Sequence, residues 1–147
     1  MKKLLLILLL TPTLIQAEEF NLVCEGEKLT FDGYGNENKY PETIGVNVRE
    51  ESIKIGKYSY SNDVIDSSSG FIESSYIKDN DLITVNQTYS EAPTKKNCGL
   101  TNYSVNIDRI TGMIKTEWRQ TDICMDKKYF MHVIYEGKCK KQKGNAF

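Results

Sequence analysis

Residues 103–118 read YSVNIDRITGMIKTEW, and this stretch decides the fold class. Apolar and polar residues alternate on both sides of a short connecting segment. In the first alternating run, the residues Tyr103, Val105 and Ile107 lie on one face. Such alternation is typical of a half-buried β-strand. Asp108 to Met113 connects the two runs, and Gly112 is the residue suited to the positive φ that a tight connection requires. The stretch therefore predicts an antiparallel hairpin in which Ile107 faces Ile114.

Similar short runs rich in Val, Ile, Thr, Tyr and Phe recur along the chain, and helical spacing of apolar residues never persists for three turns. The runs lie at 20–24, 28–31, 44–48, 52–60, 71–77, 82–89, 103–107, 114–118 and 129–135. A Gly-containing turn is expected between the first two runs, and Asp79-Asn80-Asp81 signals another turn. Longer connections are expected at 32–41, 61–70 and 90–98. We predict a single all-β domain, an antiparallel meander barrel or sandwich of about eight or nine strands.

The first seventeen residues have the pattern of a secretory signal peptide. Two lysines precede the unbroken apolar run Leu4 to Leu10, and a small residue, Ala17, ends a cleavage site. The run is far shorter than the roughly 20 residues of a membrane span. We therefore expect residues 1–17 to be removed, leaving 18–147 as a periplasmic or secreted domain without a membrane span, from a Gram-negative bacterium.

The four cysteines are Cys24, Cys98, Cys124 and Cys139. An even number in an exported chain predicts disulfides, although four cysteines allow three connectivities. Chain termini often lie close together. We therefore expect Cys24 to pair with Cys139 and Cys98 with Cys124. Zinc ligands usually come as cysteine pairs two to four residues apart, and no two cysteines are that close here.

The charge balance argues against a nucleic-acid partner. The formal charge of the whole chain is −1, and removal of Lys2 and Lys3 with the leader makes it −3. Phosphate binding requires a concentrated positive field, and only the stretch 138–143 is basic. We expect a monomer that has no cofactor.

Seven residues have side chains that could carry chemistry: Asp32, Asn36, Asn38, Asp63, Asp66, Ser69 and His132. The first three lack the spacing and the twelfth-position Glu of a calcium loop. Asp63 and Asp66 border a Ser-rich segment that is typical of a solvated loop. Ser69 lacks the flanks of a nucleophile elbow. His132, the only histidine, is expected at the surface. We predict no catalytic residue, no metal ligand and no enzymatic activity.

Three motifs occur together: FNLVCEG at 20–26, IDRITG at 107–112 and YEGKC at 135–139. The set resembles a loose group of small exported proteobacterial proteins, most of them uncharacterised, and the resemblance implies a periplasmic all-β domain. Arg109, in the second motif, is expected to face solvent. The chain also resembles, more distantly, the periplasmic lysozyme inhibitors, which are small disulfide-linked β-barrels. Their Ser-Gly-x-x-Tyr segment is partly matched by SGFIESSY at 69–76.

Three functions remain open. The first is a non-catalytic binding protein for a protein or an envelope component, and the nine tyrosines, with Tyr34 and Tyr40 in a Gly-rich segment, could supply its contact surface. The second is a calycin-like carrier of a small apolar ligand, because a barrel of about eight strands can hold one such ligand. The third is an enzyme, which would require a pocket with convergent carboxylates.

Overall fold

The computed structural model describes residues 19–67, 70–91, 99–122 and 130–142, and these residues form strands and turns without a helix. The ten strands are β1 (Phe20–Phe31), β2 (Glu37–Val48), β3 (Ser52–Ile55), β4 (Tyr58–Ser61), β5 (Asp63–Ser67), β6 (Gly70–Lys78), β7 (Leu82–Glu91), β8 (Gly99–Asp108), β9 (Met113–Asp122) and β10 (Phe130–Gln142). They form a single antiparallel sheet in the order β4-β3-β2-β1-β10-β9-β8-β7-β6-β5. The prediction of an antiparallel all-β fold is confirmed.

The sheet closes almost completely into a barrel. The first and last strands, β1 and β10, pair along eleven residues. The sheet order ends at β4 and β5, which are consecutive in the chain and are joined by Asn62. At this seam the Asn62 side-chain oxygen accepts a hydrogen bond from the Tyr76 amide (2.7 Å), and the Tyr76 hydroxyl donates to the Arg49 carbonyl (2.7 Å). The two edges of the sheet are therefore held together by the chain itself and by Tyr76.

Four local predictions about the strands were wrong. The segment 32–41, expected as a connection, contains the start of β2, which begins at Glu37. The run 52–60 is two strands, because Gly56 adopts a positive φ of 57° and turns the chain between β3 and β4. The segment 61–70, expected as a connection, contains β5, which pairs with β6. No turn follows Cys24, because β1 continues through Gly26 to Phe31.

Among the residues that the structure describes, those that fill the barrel interior lie at one end only. Alternate side chains of each strand point inward. We call the filled end the closed end. Its almost fully buried side chains are those of Cys24, Val46, Val48, Ile53, Ile83, Val85, Val105, Ile107 and Ile114. Each aliphatic side chain of this size stabilises the fold by about 1.5–3 kcal/mol when buried. Towards the other end, the open end, the inward residues change character. Cys24 gives way to Lys28 along β1, and Ile107 gives way to Thr101 along β8.

A disulfide joins Cys24 to Cys139, as predicted. The two residues lie directly opposite each other in the β1–β10 register, so the first and last strands are neighbours as expected. The predicted Cys98–Cys124 bond and the predicted leader at 1–17 both lie outside the described residues.

The β8–β9 turn has the predicted hairpin geometry. Ile107 pairs with Ile114, and Gly112 has a φ of 71°. The Asp108 carboxylate accepts hydrogen bonds from the amides of Ile110 (2.8 Å) and Thr111 (2.9 Å), which fixes the turn.

The expectation that Arg109 faces solvent was wrong, because its side chain turns back over the closed end of the barrel. The guanidinium donates to the Asp79 carbonyl at 2.6 Å and lies 5.4 Å from the centre of the Phe20 ring. The Arg109 amide also donates to the Asp81 carbonyl at 2.8 Å. Arg109 therefore links the β8–β9 turn to the neighbouring β6–β7 turn.

Candidate functional site

A cavity of about 650 Å³ occupies the open end of the barrel. Its lining includes six aromatic side chains: Tyr58, Tyr60, Tyr89, Tyr103, Tyr135 and Trp118. Aliphatic side chains of Ile44, Ile55 and Val133 lie among them. A volume of this size falls within the range of roughly 300–1,000 Å³ that is usual for small-ligand sites.

A cluster of hydroxyl groups forms part of the cavity floor. The rings of Tyr60 and Tyr103 stack with their centres 4.9 Å apart, and Tyr103 shares hydrogen bonds with Tyr60 and with Thr116. Burial raises the pKa of both phenols, so both remain neutral at physiological pH. Because these hydroxyls can both donate and accept, the floor presents neutral polar groups within an aromatic surface.

Tyr135 completes the floor, and its position explains the Tyr-x-Gly-x-Cys motif. The Tyr135 hydroxyl donates to the Cys24 carbonyl at 2.8 Å, and burial raises the pKa of this phenol to about 12. A Cβ on Gly137 would lie 2.5 Å from the phenol oxygen and 2.9 Å from the Glu25 carbonyl oxygen. Glycine is therefore required where the ring lies over the backbone, between the cavity and the disulfide.

The cavity wall on β1 and β2 carries an ion pair. Lys28 Nζ lies 3.2 Å from Glu42 Oε1 and 5.6 Å from the centre of the Tyr40 ring. Partial burial opposes the charged form of Lys28, but the hydrogen bond and charge of Glu42 outweigh it and raise the pKa of Lys28 above its ordinary value. Both side chains are about one-third exposed, so the pair faces the open cavity. At the mouth, Lys57 Nζ lies 5.1 Å from the centre of the Tyr58 ring.

His132 lies on the outside of the barrel, away from the cavity. Its Nε2 is 2.8 Å from Glu117 Oε1, and its ring stacks on Phe31 with the centres 5.7 Å apart. Partial burial opposes ionisation of Glu117, but the hydrogen bond of His132 and the charge of Arg119 hold the pKa of that carboxyl below its ordinary value. His132 occupies the outer surface as predicted, although only 13% of its side chain is exposed.

The other residues singled out in the sequence do not converge on one site. Asp32 and Asn36 hydrogen-bond each other within one turn (2.7 Å), Asp63 and Asp66 are exposed on β5, and Ser69 lies outside the described residues. The described ranges contain no group of three or more His, Cys, Asp or Glu placed to hold a metal ion. In the same ranges, no helix has the length and hydropathy of a membrane span.

Tyr34 and Tyr40, the two tyrosines proposed as a contact surface, have different surroundings. Tyr34 is 87% exposed at a turn. Tyr40 is 42% exposed and lies beside Lys28 at the wall of the cavity.

The polar wall of the cavity was not predicted from the sequence, and it includes Lys28, Glu42, Gln87 and Thr101. The signal was present in the inward-facing series, which changes from aliphatic to polar residues halfway along the strands. It could be recognised only once the register had shown that these halves meet at one end of the barrel.

Comparisons with protein-family models, with curated proteins and with solved structures found no match to this chain.

Proposed function

We propose that this protein is a non-catalytic binding protein that holds a small ligand in the open end of its barrel. The observation that carries the proposal is the cavity of about 650 Å³, whose lining includes five tyrosines and Trp118. A fold stabilised only by its core would gain from filling this space, since each buried methylene contributes about 0.8 kcal/mol. The chain instead places side chains here that bind ligands well, with aromatic surfaces and a few polar groups that fix orientation.

The architecture also supports ligand carriage. The closed end is filled with aliphatic side chains and is cross-linked by the Cys24–Cys139 bond, so it can act as a rigid base. The open end leaves the neutral floor around Tyr103 accessible from the mouth. A ligand would therefore enter a largely pre-formed site, and the protein would lose little conformational entropy on binding it.

Trp118 provides a direct test, because it is the only tryptophan of the chain and it lines the cavity. Its emission should change on titration with a panel of saccharides, octanoate and 1-octanol if one of these probes enters. Thr101→Phe, which places a bulky ring in the cavity, should weaken that change. Asn102→Phe places the same group on the outward face of the same strand and should leave the change intact. The proposal fails if no probe affects Trp118, or if both variants behave alike.

A protein partner is the second candidate, and the turn carrying Tyr34 supports it. The Asp32 carboxylate accepts hydrogen bonds from the amides of Tyr34 and Asn36, both at 2.9 Å, so this exposed ring is presented on a fixed turn. A rigid, exposed tyrosine is a frequent anchor in protein interfaces. Capture of a partner from envelope extract should be lost with Tyr34→Ala and retained with Tyr58→Ala. Equal capture by both variants would refute a role for this turn.

We further propose that the protein acts in an oxidising compartment outside the cytoplasm, as the pattern of residues 1–17 indicates. The Cys24–Cys139 bond supports this location, because disulfides persist mainly in oxidising environments. Mass spectrometry of protein from its host should find a mature chain that begins at Glu18. A cytoplasmic product that retains Met1 would refute the proposal.

A further inference from the structure

The charges around the cavity restrict the chemical class of the ligand. Lys28 and Glu42 face the same space with their charged atoms 3.2 Å apart. An anionic group placed against this wall would be repelled by Glu42, and a cationic group would be repelled by Lys28. Because the pair already balances its own charge, this wall favours a ligand without net charge. The other charged side chain of the lining, Lys57, lies at the mouth over the Tyr58 ring.

The polar groups of the cavity disfavour a purely hydrocarbon ligand. Gln87, Thr101 and Thr116 line the cavity together with the Lys28–Glu42 pair. A hydrocarbon would remove these groups from water without replacing their hydrogen bonds, which is costly. A hydroxyl group both donates and accepts, whereas Lys only donates and an ionised Glu only accepts. Two neighbouring hydroxyls can therefore satisfy the pair, one accepting from Lys28 and the other donating to Glu42.

Three of the six aromatic side chains of the lining, Tyr89, Tyr103 and Trp118, lie on strands other than those that carry this pair. Glu42 is on β2 and Tyr103 is on β8, and three strands, β1, β10 and β9, separate β2 from β8 in the sheet. Tyr89 and Trp118 occupy the strands on either side of β8. An aromatic face carries partial negative charge and packs well against C–H groups, which carry partial positive charge. The cavity therefore offers hydroxyl-binding groups on β1 and β2 and aromatic surfaces on β7, β8 and β9.

We propose that the ligand of this cavity is a neutral saccharide, bound with its hydroxyls on Lys28 and Glu42 and with a C–H face on the aromatic side chains of β7, β8 and β9. The inference rests on the proposed function of a ligand-binding barrel. It adds the class of ligand and assigns Glu42 and Lys28 as the residues that determine specificity.

The test uses the disulfide-bonded mature chain and three kinds of probe. The saccharides are methyl glucoside, methyl galactoside, N-acetylglucosamine, maltose and cellobiose. Octanoate and 1-octanol share an apolar tail and differ in charge. Binding is followed by Trp118 emission and by calorimetry, and thermal melts show that each variant is folded. We expect at least one saccharide to bind, with octanoate and 1-octanol binding more weakly.

Glu42→Gln is the decisive variant. It keeps the size of the side chain but removes the charged acceptor, so saccharide affinity should fall about tenfold or more. Glu27→Gln is the matched control, because Glu27 pairs with Lys39 on the outer face and is 64% exposed. The saccharide affinity of the Glu27→Gln variant should stay within about twofold of that of the natural chain, since the changed group does not face the cavity.

The other outcomes separate the two proposals. The saccharide assignment would be overturned if octanoate had the highest affinity of all probes and bound Glu42→Gln more tightly than the natural chain. The ligand would then be an anionic amphiphile. The assignment would also be overturned if 1-octanol had the highest affinity of all probes and bound Lys28→Met/Glu42→Leu more tightly than the natural chain. The protein would then be a hydrocarbon carrier. In both cases the ligand-binding barrel stands. Saccharide binding that is insensitive to Glu42→Gln would also overturn the assignment. If no probe binds, both proposals fail.

Discussion

Removal of the Cys24–Cys139 bond should cost about a third or more of the stability of this domain. The two cysteines are 115 residues apart, so the bond closes a loop that contains nearly the whole barrel. In the chain-entropy model, opening such a loop lowers the free energy of unfolding by about 5 kcal/mol. Domains of this kind are stable by about 5–15 kcal/mol in total, so Cys24→Ala/Cys139→Ala should keep at most about two thirds of that stability. The effect acts through the unfolded chain, because the β1–β10 hydrogen bonds remain in the folded barrel.

Urea unfolding followed by far-ultraviolet circular dichroism measures this loss. The dependence of the free energy on urea should also become steeper, because an unfolded chain without the cross-link exposes more surface. The single variants Cys24→Ala and Cys139→Ala are the controls, since each opens the same bond and should lose a similar amount. A loss below about 1 kcal/mol with an unchanged slope would refute the reasoning, because the closed loop would then contribute almost nothing.

Three further predictions concern turns and close contacts. Gly26→Ala should lower the free energy of unfolding by about 2 kcal/mol or more in urea melts, because the new Cβ would lie 2.1 Å from the Glu136 carbonyl oxygen; an effect below about 0.5 kcal/mol would contradict this close approach. Gly112→Val, at a φ of 71°, and Arg109→Ala, which loses the contact with the Asp79 carbonyl, should each cost about 1 kcal/mol or more. A silent Arg109→Ala would show that this contact is not maintained in solution. Backbone hydrogen bonds lower the pKa of Asp108 below its ordinary 3.8. The contribution of Asp108 to stability is therefore present above that pH and is lost as the pH falls below it. In melts between pH 3 and 6, Asp108→Asn should lose less stability on acidification than the natural chain.

Local sequence signals predicted the parts of the fold that depend on local chemistry. Alternation along 103–118 predicted two strands, and the Asp108–Gly112 segment predicted the hairpin that the structure contains. The side chain of Asp108 bonds amides only two and three residues away, so the turn needs no distant partner. Gly26 shows the opposite case. A glycine between the runs 20–24 and 28–31 suggested a turn, but it serves a close approach to β10, which lies more than a hundred residues further along the chain.

The sequence by itself determined that the chain is all-β and antiparallel, and it indicated the bond between its first and last cysteines. These properties follow from a two-residue period and from turn residues that act over short distances. Only the tertiary structure decided that the sheet closes into a barrel that is filled at one end and open at the other. The cavity joins Lys28 and Glu42 to Tyr103 and Trp118 from distant strands, and strand register alone brings them together. The alternation specifies which face of the sheet a residue occupies. It does not specify which residues of other strands lie on that face at the same level along the barrel axis, because register depends on pairing across the whole sheet.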